Sequence, residues 1–87
     1  MNLHATVVAI NGEGVLLLGP SGAGKTDLAL RLIHAGAVLV ADDRVQLAAS
    51  SGRLHASAPA NLKGVIELRG IGLMRLDAVD SAPLILA

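Results

Sequence analysis

The sequence predicts an α/β fold, and its composition and the order of its segments both point to it. The 87 residues are 53% hydrophobic, but none is Phe, Tyr or Trp, so the apolar residues are mainly Ala, Val, Leu and Ile. That composition suits buried strands and the helices that cover them. Between residues 15 and 43 an apolar strand, a glycine-rich loop, a helical segment and a second apolar strand follow one another. This order is typical of a βαβ unit with parallel strands.

Composition also excludes several classes of protein. Seven basic residues balance seven acidic ones, which argues against nucleic-acid binding driven by phosphate attraction, and the missing aromatics remove base stacking. Without cysteine there are neither disulfides nor thiolate metal sites. The apolar runs are shorter than the roughly 20 residues that span a bilayer, and no signal segment is visible at the N-terminus. We therefore expect a cytoplasmic protein with no membrane partner, and at this length a single domain.

The first half of the chain is predicted to be a hairpin followed by a helix. Residues 3–10 and 15–18 form the strands, the second apolar throughout as in a sheet covered on both faces, and Asn11-Gly12 is a strong hairpin signal. From Lys25 the apolar period becomes 3.6, which predicts a helix ended by a glycine C-cap at Gly36. Its predicted apolar stripe is Leu28, Leu32 and Ala35.

The second half is predicted to be mostly strand. The predicted strands are residues 37–41, 45–48, 53–56, 65–69, 73–76 and 84–87. A turn at residues 50–52 joins the second and third of them, and residues 57–64 form a loop or one helical turn. Within residues 65–69 the side chains alternate, so that Glu67 and Arg69 share one face.

One motif carries a specific chemical prediction. Residues 19–26 match the phosphate-loop pattern G-x-x-x-x-G-K-[ST]; they are Gly19, Pro20, Ser21, Gly22, Ala23, Gly24, Lys25 and Thr26. Glycines let successive N–H groups point at phosphate oxygens, and the helix that follows adds its free N–H groups. Lys25 is expected to reach the β- and γ-phosphates and the Thr26 hydroxyl to ligate magnesium. A bound nucleotide with Mg²⁺ is the prediction, and the loop does not specify a reaction.

Acidic residues after the next strand suggest a reaction. Asp42 and Asp43 end an apolar strand, where the ends of parallel strands meet at a ligand crevice. One carboxylate can hold Mg²⁺ and the other can accept a proton from an attacking hydroxyl. The alternative is a turn, in which Asp is common. Glu67 with Arg69 fits either a metal or phosphate site or a surface ion pair. Taken alone, the three histidines (His4, His34 and His55) are predicted to be structural.

These features together resemble a known family. His4, the phosphate loop, V-A-D-D-R-V at residues 40–45 and I-E-L-R-G-I-G-L at residues 66–73 occur in this order. They resemble the catalytic domain of HPr kinase/phosphorylase, in the short form without its N-terminal domain. The resemblance implies a P-loop-containing core, similar to phosphoenolpyruvate carboxykinase, with a mixed sheet. It also implies homo-oligomers, in that family hexamers.

The resemblance further implies ATP-dependent phosphorylation of a serine of HPr, a phosphocarrier of the bacterial phosphotransferase system that regulates carbon metabolism, and reverse phosphorolysis. By position, Asp43 is expected to be the base and Lys25 to stabilise the γ-phosphoryl group. Thr26 and Glu67, assisted by Asp42, are expected to hold Mg²⁺, and His4 to lie near the transferred phosphate. Arg69 belongs to the R-G-I-G segment, which the resemblance links to both phosphorylation and the reverse phosphorolysis.

Two departures and two alternatives accompany this resemblance. Pro20 stands where the family often has Asp, and the family's chains continue after the R-G-I-G segment with a further arginine and a glycine-rich loop. We therefore expect a single domain, residues 1–87, that is short or truncated at its C-terminal end. One alternative function is a catalytically impaired, nucleotide-binding regulatory module. The other, which the R-G-I-G segment disfavours, is a phosphate-loop kinase acting on a metabolite.

Overall fold

A computed structural model describes residues 2–18, 23–68 and 70–85. The chain is a mixed α/β structure with three sheets, which confirms the predicted class at this level. In chain order the elements are β1 (Asn2–Leu3), β2 (Thr6–Ile10), β3 (Glu13–Leu17), α1 (Ala23–His34), β4 (Val38–Ala41), β5 (Val45–Ser50), β6 (Arg53–Ser57), a 3-10 turn (Ala60–Leu62), β7 (Val65–Leu68), β8 (Gly72–Arg75) and β9 (Ala82–Pro83).

The central sheet has three strands in the order β3-β2-β4. Strand β2 is antiparallel to both neighbours, so β3 and β4 point the same way without touching as a parallel pair. The expected strand–helix–strand unit is present, with β3 and β4 in the same direction, but the expectation that these strands pair in a parallel sheet is wrong. The physical reason is that the hairpin at Asn11 and Gly12, with φ of 52° and 81°, pairs β2 with β3, and β4 then pairs with the other edge of β2.

The N-terminal residues divide between two sheets. Residues 3–10 were expected to form one strand, but β1 pairs with β5 in the four-stranded sheet β1-β5-β6-β9, whereas β2 belongs to the central sheet. The switch falls at His4 and Ala5, between β1 and β2. The turn between β5 and β6 lies at Ser51 and Gly52, within the predicted segment, and both have positive φ.

Strands β7 and β8 form a separate antiparallel hairpin. Its register confirms the predicted alternation, because Ile66 is fully buried and Glu67 is exposed. The C-terminal strand was predicted at residues 84–87, but β9 is earlier and Leu84 makes a single parallel bridge to Gly14. Residues 86–87 lie outside the described residues.

Helix α1 packs against β2 and β4 with only part of the predicted stripe. Ala29 is fully buried against Val8, and Leu32 is partly buried beside them, whereas Leu28 is 46% exposed and Ala35 lies in the turn after the helix. The partner surface decides which face of a helix is buried, and here the sheet contacts the face that carries Ala29 and Leu32.

The helix ends as its sequence predicts. Gly36 has φ of 114°, its N–H donates to Ile33 O at 3.0 Å, and the Ala37 N–H donates to Leu32 O at 2.9 Å. These two bonds form a Schellman motif, which satisfies carbonyls at the helix end.

The larger core cluster lies between the central sheet and the four-stranded sheet. Its buried members are Ala5, Val7, Ala9, Val40, Ala41, Val45, Ala56, Ala82 and Leu84. The prediction that the strand at residues 15–18 is covered on both faces is wrong at its end, since Leu18 follows β3 and is 66% exposed. In the described part of the chain no helix is long and apolar enough to cross a membrane.

Candidate functional site

Several of the predicted site residues lie at one end of the central sheet. Because β2 runs against β3 and β4, its first residue, Thr6, lies beside the last residues of both, opposite Leu17 and next to the pairing of Val7 with Ala41. The start of α1 follows β3, and Asp42 follows β4 directly. The strand ends thus converge as predicted, although through an antiparallel neighbour and not through parallel pairing.

Lys25 lies in the first turn of α1 and is 8% exposed. Its Nζ atom is buried, and no hydrogen-bond partner for it lies in the described part of the chain. Burying an ammonium group without a partner is costly, so this position favours binding of an anion. The first N–H groups of α1, beginning at Ala23 and Gly24, add donors and the positive end of the helix dipole.

The structure describes the predicted phosphate loop only from Ala23 onward. Gly19, Pro20, Ser21 and Gly22 lie outside the described residues, as does Arg69. Thr26, the predicted magnesium ligand that follows Lys25, is partly exposed in the first turn of α1.

Asp42 and Asp43 form a tight turn immediately after β4. The Arg44 N–H donates to Asp42 O at 2.7 Å, and the central residue, Asp43, has φ of 68°. A bond from residue i+2 back to residue i around a positive φ is the pattern of a rare, strained γ-turn. This geometry agrees with both interpretations of the pair, because a turn can also hold a functional carboxylate. Strained backbone is often found at functional sites.

The Asp43 side chain is paired with His4. His4 Nε2 lies 2.8 Å from Asp43 Oδ1, and the two side chains are 53% and 56% exposed. The main chain supports the same contact, since the Ala5 N–H donates to Asp43 O at 3.2 Å. His4 was expected near the transferred phosphate. The structure brings it to the carboxylate that was predicted to be the base.

Thr6 is the residue at this site that the sequence did not reveal. It is 1% exposed; its Oγ1 donates to Asp42 Oδ1 at 2.9 Å and accepts a longer bond of 3.4 Å from the Asp43 N–H. Threonine is common in strands, so nothing in the segment from Thr6 to Ile10 distinguishes this hydroxyl from a structural one.

Glu67 is joined to the acidic turn through its main chain. Its N–H donates to Asp42 Oδ2 at 3.3 Å, which brings β7 to the end of β4. The described residues contain no group of three or more His, Cys, Asp or Glu side chains that could hold a metal ion. The predicted set of Thr26, Glu67 and Asp42 supplies hydroxyl and carboxylate oxygens, which is the donor chemistry that Mg²⁺ prefers.

The other two histidines lie on separate elements. His34 is in the last turn of α1, where a basic side chain is favourable, and His55 is on β6 opposite Ala48 and Pro83.

Together these features describe an α/β protein with a buried lysine at the head of its helix and an acidic turn at the same end of its central sheet. The sequence model of the family described as "HPr Serine kinase C-terminal domain" matches residues 1–81. The chain belongs to this family.

Comparisons with individual proteins agree. The HPr kinase/phosphorylase of Caldicellulosiruptor bescii is 47% identical over 72 residues, covering 82% of this chain and 23% of the relative. That of Mycoplasmopsis pulmonis is 38% identical over 79 residues, covering 91% and 26%. The solved structure of the Hpr(Ser) kinase/phosphatase from Coxiella burnetii has a TM-score of 0.88 at 31% identity, covering 97% of this chain and 55% of that one. The chain thus spans about a quarter of the length of these curated relatives.

Proposed function

We propose that this protein is an ATP-dependent serine kinase that phosphorylates an HPr-like phosphocarrier protein. The observation that carries the proposal is the Asp43 carboxylate, held in a strained turn and paired with His4 at 2.8 Å in a chain of the HPr serine kinase family. A carboxylate fixed in this way is suited to accept the proton of a serine hydroxyl.

The proposed reaction uses the residues as follows. Asp43 orients the serine hydroxyl and takes its proton while the serine oxygen forms a bond to the γ-phosphorus of ATP, and the bond from that phosphorus to the leaving oxygen of ADP breaks. Lys25, whose buried Nζ has no hydrogen-bond partner among the described residues, binds the phosphoryl oxygens together with the first N–H groups of α1. The dominant contributions are positioning and charge neutralisation.

Magnesium is proposed to bind at the same site. Thr26, Glu67 and Asp42 are the residues that would hold it, and when bound it supplies positive charge to the phosphate oxygens. Asp42 also accepts from the Thr6 hydroxyl and from the Glu67 N–H, so in addition it orients the turn. Arg69 remains a proposed contributor to transfer in both directions.

The wider setting follows from the relatives and is proposed with the activity. We propose a cytoplasmic enzyme that regulates carbon use through the phosphotransferase system, assembles into homo-oligomers and also catalyses phosphorolysis. The relatives named kinase/phosphorylase support the reverse reaction. With no aromatic residue in the chain, adenine is not stacked, so affinity is expected to rest on the triphosphate.

A catalytically impaired nucleotide-binding module is the second candidate. It rests on the buried Lys25 side chain in the first turn of α1, which is suited to bind phosphate whether or not transfer follows. This candidate predicts ATP binding through Lys25 without transfer to HPr.

Phosphotransfer to HPr distinguishes the two. The protein is mixed with MgATP and HPr, and phosphoserine on HPr is measured by mass spectrometry for wild type and for Asp43→Asn, which tolerates the same positive φ. We expect transfer by wild type and a decrease of roughly 100-fold or more in the variant, the scale of general-base catalysis. Asp77→Asn, at an exposed aspartate, is the control. ATP binding without transfer favours the module, and full activity of Asp43→Asn overturns the assigned base.

A further inference from the structure

Three consecutive residues hold the acidic turn from one side. His4 contacts the Asp43 carboxylate, the Ala5 N–H donates to Asp43 O, and Thr6 contacts both residues of the pair. This arrangement arises because the chain leaves one sheet at β1 and enters the central sheet at β2, so residues 4–6 run along the end of β4.

The Thr6 hydroxyl is buried and its hydrogen-bonding capacity is used in two directions. Thr6 and Lys25 are the two buried polar side chains among the described residues. The single hydroxyl proton is donated to Asp42 Oδ1 at 2.9 Å, and the oxygen lone pairs remain to accept the Asp43 N–H at 3.4 Å. One hydroxyl therefore links the side chain of Asp42 to the main chain of Asp43.

The Asp42 carboxylate also connects the turn to β7. Asp42 Oδ1 accepts from Thr6 and Oδ2 accepts from the Glu67 N–H, so the two oxygens connect the ends of β2 and β7. Asp43 adopts φ of 68°, a conformation that a residue other than glycine keeps only where its surroundings enforce it. The hydrogen bonds of Thr6 restrain the main chain at Asp43 and the neighbouring Asp42 side chain.

We propose that Thr6 is a positioning residue for Asp43: its hydroxyl fixes the Asp42 carboxylate and the Asp43 main chain, and thereby holds the Asp43 carboxylate in place for proton transfer. This inference rests on the proposed function, in which Asp43 is the base. Thr6 acts through Asp42 and Asp43, and its contacts are separate from the proposed phosphate contacts of Lys25.

Steady-state kinetics of Thr6→Val and Thr6→Ser test the role of the hydroxyl. Thr6→Val keeps the shape and β-propensity and lacks the hydroxyl, whereas Thr6→Ser keeps it. For Thr6→Val we expect kcat for HPr phosphorylation to fall roughly 10- to 100-fold, the effect of misplacing a reacting group, with ATP affinity changed less than about twofold. Thr6→Ser is expected to retain kcat within about threefold. If Thr6→Val does not fold, Thr6→Ala against Thr6→Ser isolates the same oxygen atom.

Amide hydrogen exchange tests the geometry without relying on activity. Without the hydroxyl the Asp43 N–H loses its acceptor, so its exchange is expected to be at least about tenfold faster in Thr6→Val and close to wild type in Thr6→Ser. If wild type transfers no phosphate, the proposed function fails, while faster exchange still supports the structural part of the inference. Wild-type kcat in Thr6→Val overturns the positioning role, as does an equal loss in Thr6→Ser and Thr6→Val, since Thr6→Ser keeps the hydroxyl.

Discussion

His4 Nε2 lies 2.8 Å from Asp43 Oδ1, and this contact joins two motifs that are distant in the sequence. His4 occupies the point at which the chain passes from β1 in one sheet to β2 in another. The break that divides residues 3–10 therefore places the imidazole beside the acidic turn. A continuous strand would have kept these residues in one sheet, with side chains alternating across it.

The His4–Asp43 pair is expected to affect catalysis more than stability. Both side chains are about half exposed, so solvent screens the pair and its removal should change the free energy of unfolding by less than about 1 kcal/mol. We expect His4→Ala to lower kcat for HPr phosphorylation by roughly tenfold, since Asp43 loses its orienting partner. His4→Gln, which retains an N–H donor, should lose less. His34→Ala is the matched control, and an equal decrease there would contradict the assignment.

Lys25 is expected to oppose folding while supporting ligand binding. Because Nζ is buried without a partner among the described residues, Lys25→Met should raise the free energy of unfolding by about 1 kcal/mol or more. The same change should abolish stabilisation by MgATP, which for wild type is about 2.7 kcal/mol at a concentration 100 times Kd. Chemical unfolding with and without MgATP measures both effects. Lys63→Met removes the other lysine, which is ion-paired with Asp80, and should leave ligand stabilisation intact. A marked loss of stability in Lys25→Met would show that the ammonium has a partner.

Glu67 is expected to determine the magnesium requirement. Glu67→Gln removes a negative charge but keeps the N–H that donates to Asp42 Oδ2. The Mg²⁺ concentration for half-maximal phosphorylation should therefore rise by roughly tenfold or more, without loss of the fold. The control is Glu13→Gln, at the chain's other glutamate, which pairs with Arg53 on the surface. An unchanged Mg²⁺ dependence in Glu67→Gln would exclude this carboxylate as a ligand.

Two glycines with positive φ should differ in their tolerance of alanine. Gly36 has φ of 114°, and a Cβ added there would meet no atom of the described residues within 4 Å. Gly36→Ala should therefore lower the free energy of unfolding only by the strain of the positive φ, roughly 1–2 kcal/mol. At Gly64, with φ of 72°, an added Cβ would lie 2.7 Å from Leu76 O, so Gly64→Ala should cost at least about 1 kcal/mol more. Urea unfolding of the two variants measures the difference. Equal costs would mean that the Leu76 carbonyl moves away freely.

Local features were predictable because their causes are local. The hairpin at Asn11 and Gly12, and the helix C-cap at Gly36, follow from which residues adopt positive φ, and both are confirmed. The alternation that buries Ile66 and exposes Glu67 follows from the pleat of a strand. The predicted apolar stripe of the helix was wrong at Leu28, because the partner surface decides which face is buried.

Residue type and short-range spacing were enough to predict the α/β class, the turns, the family, and Lys25, Asp42 and Asp43 as candidate site residues. The tertiary structure alone decided that β2 separates β3 from β4 and that His4 pairs with Asp43. It alone showed that Thr6, 36 positions before Asp42, donates to its carboxylate. Sheet neighbours and buried hydrogen bonds depend on which distant segments pack together, and the spacing of residues along one strand does not encode that choice.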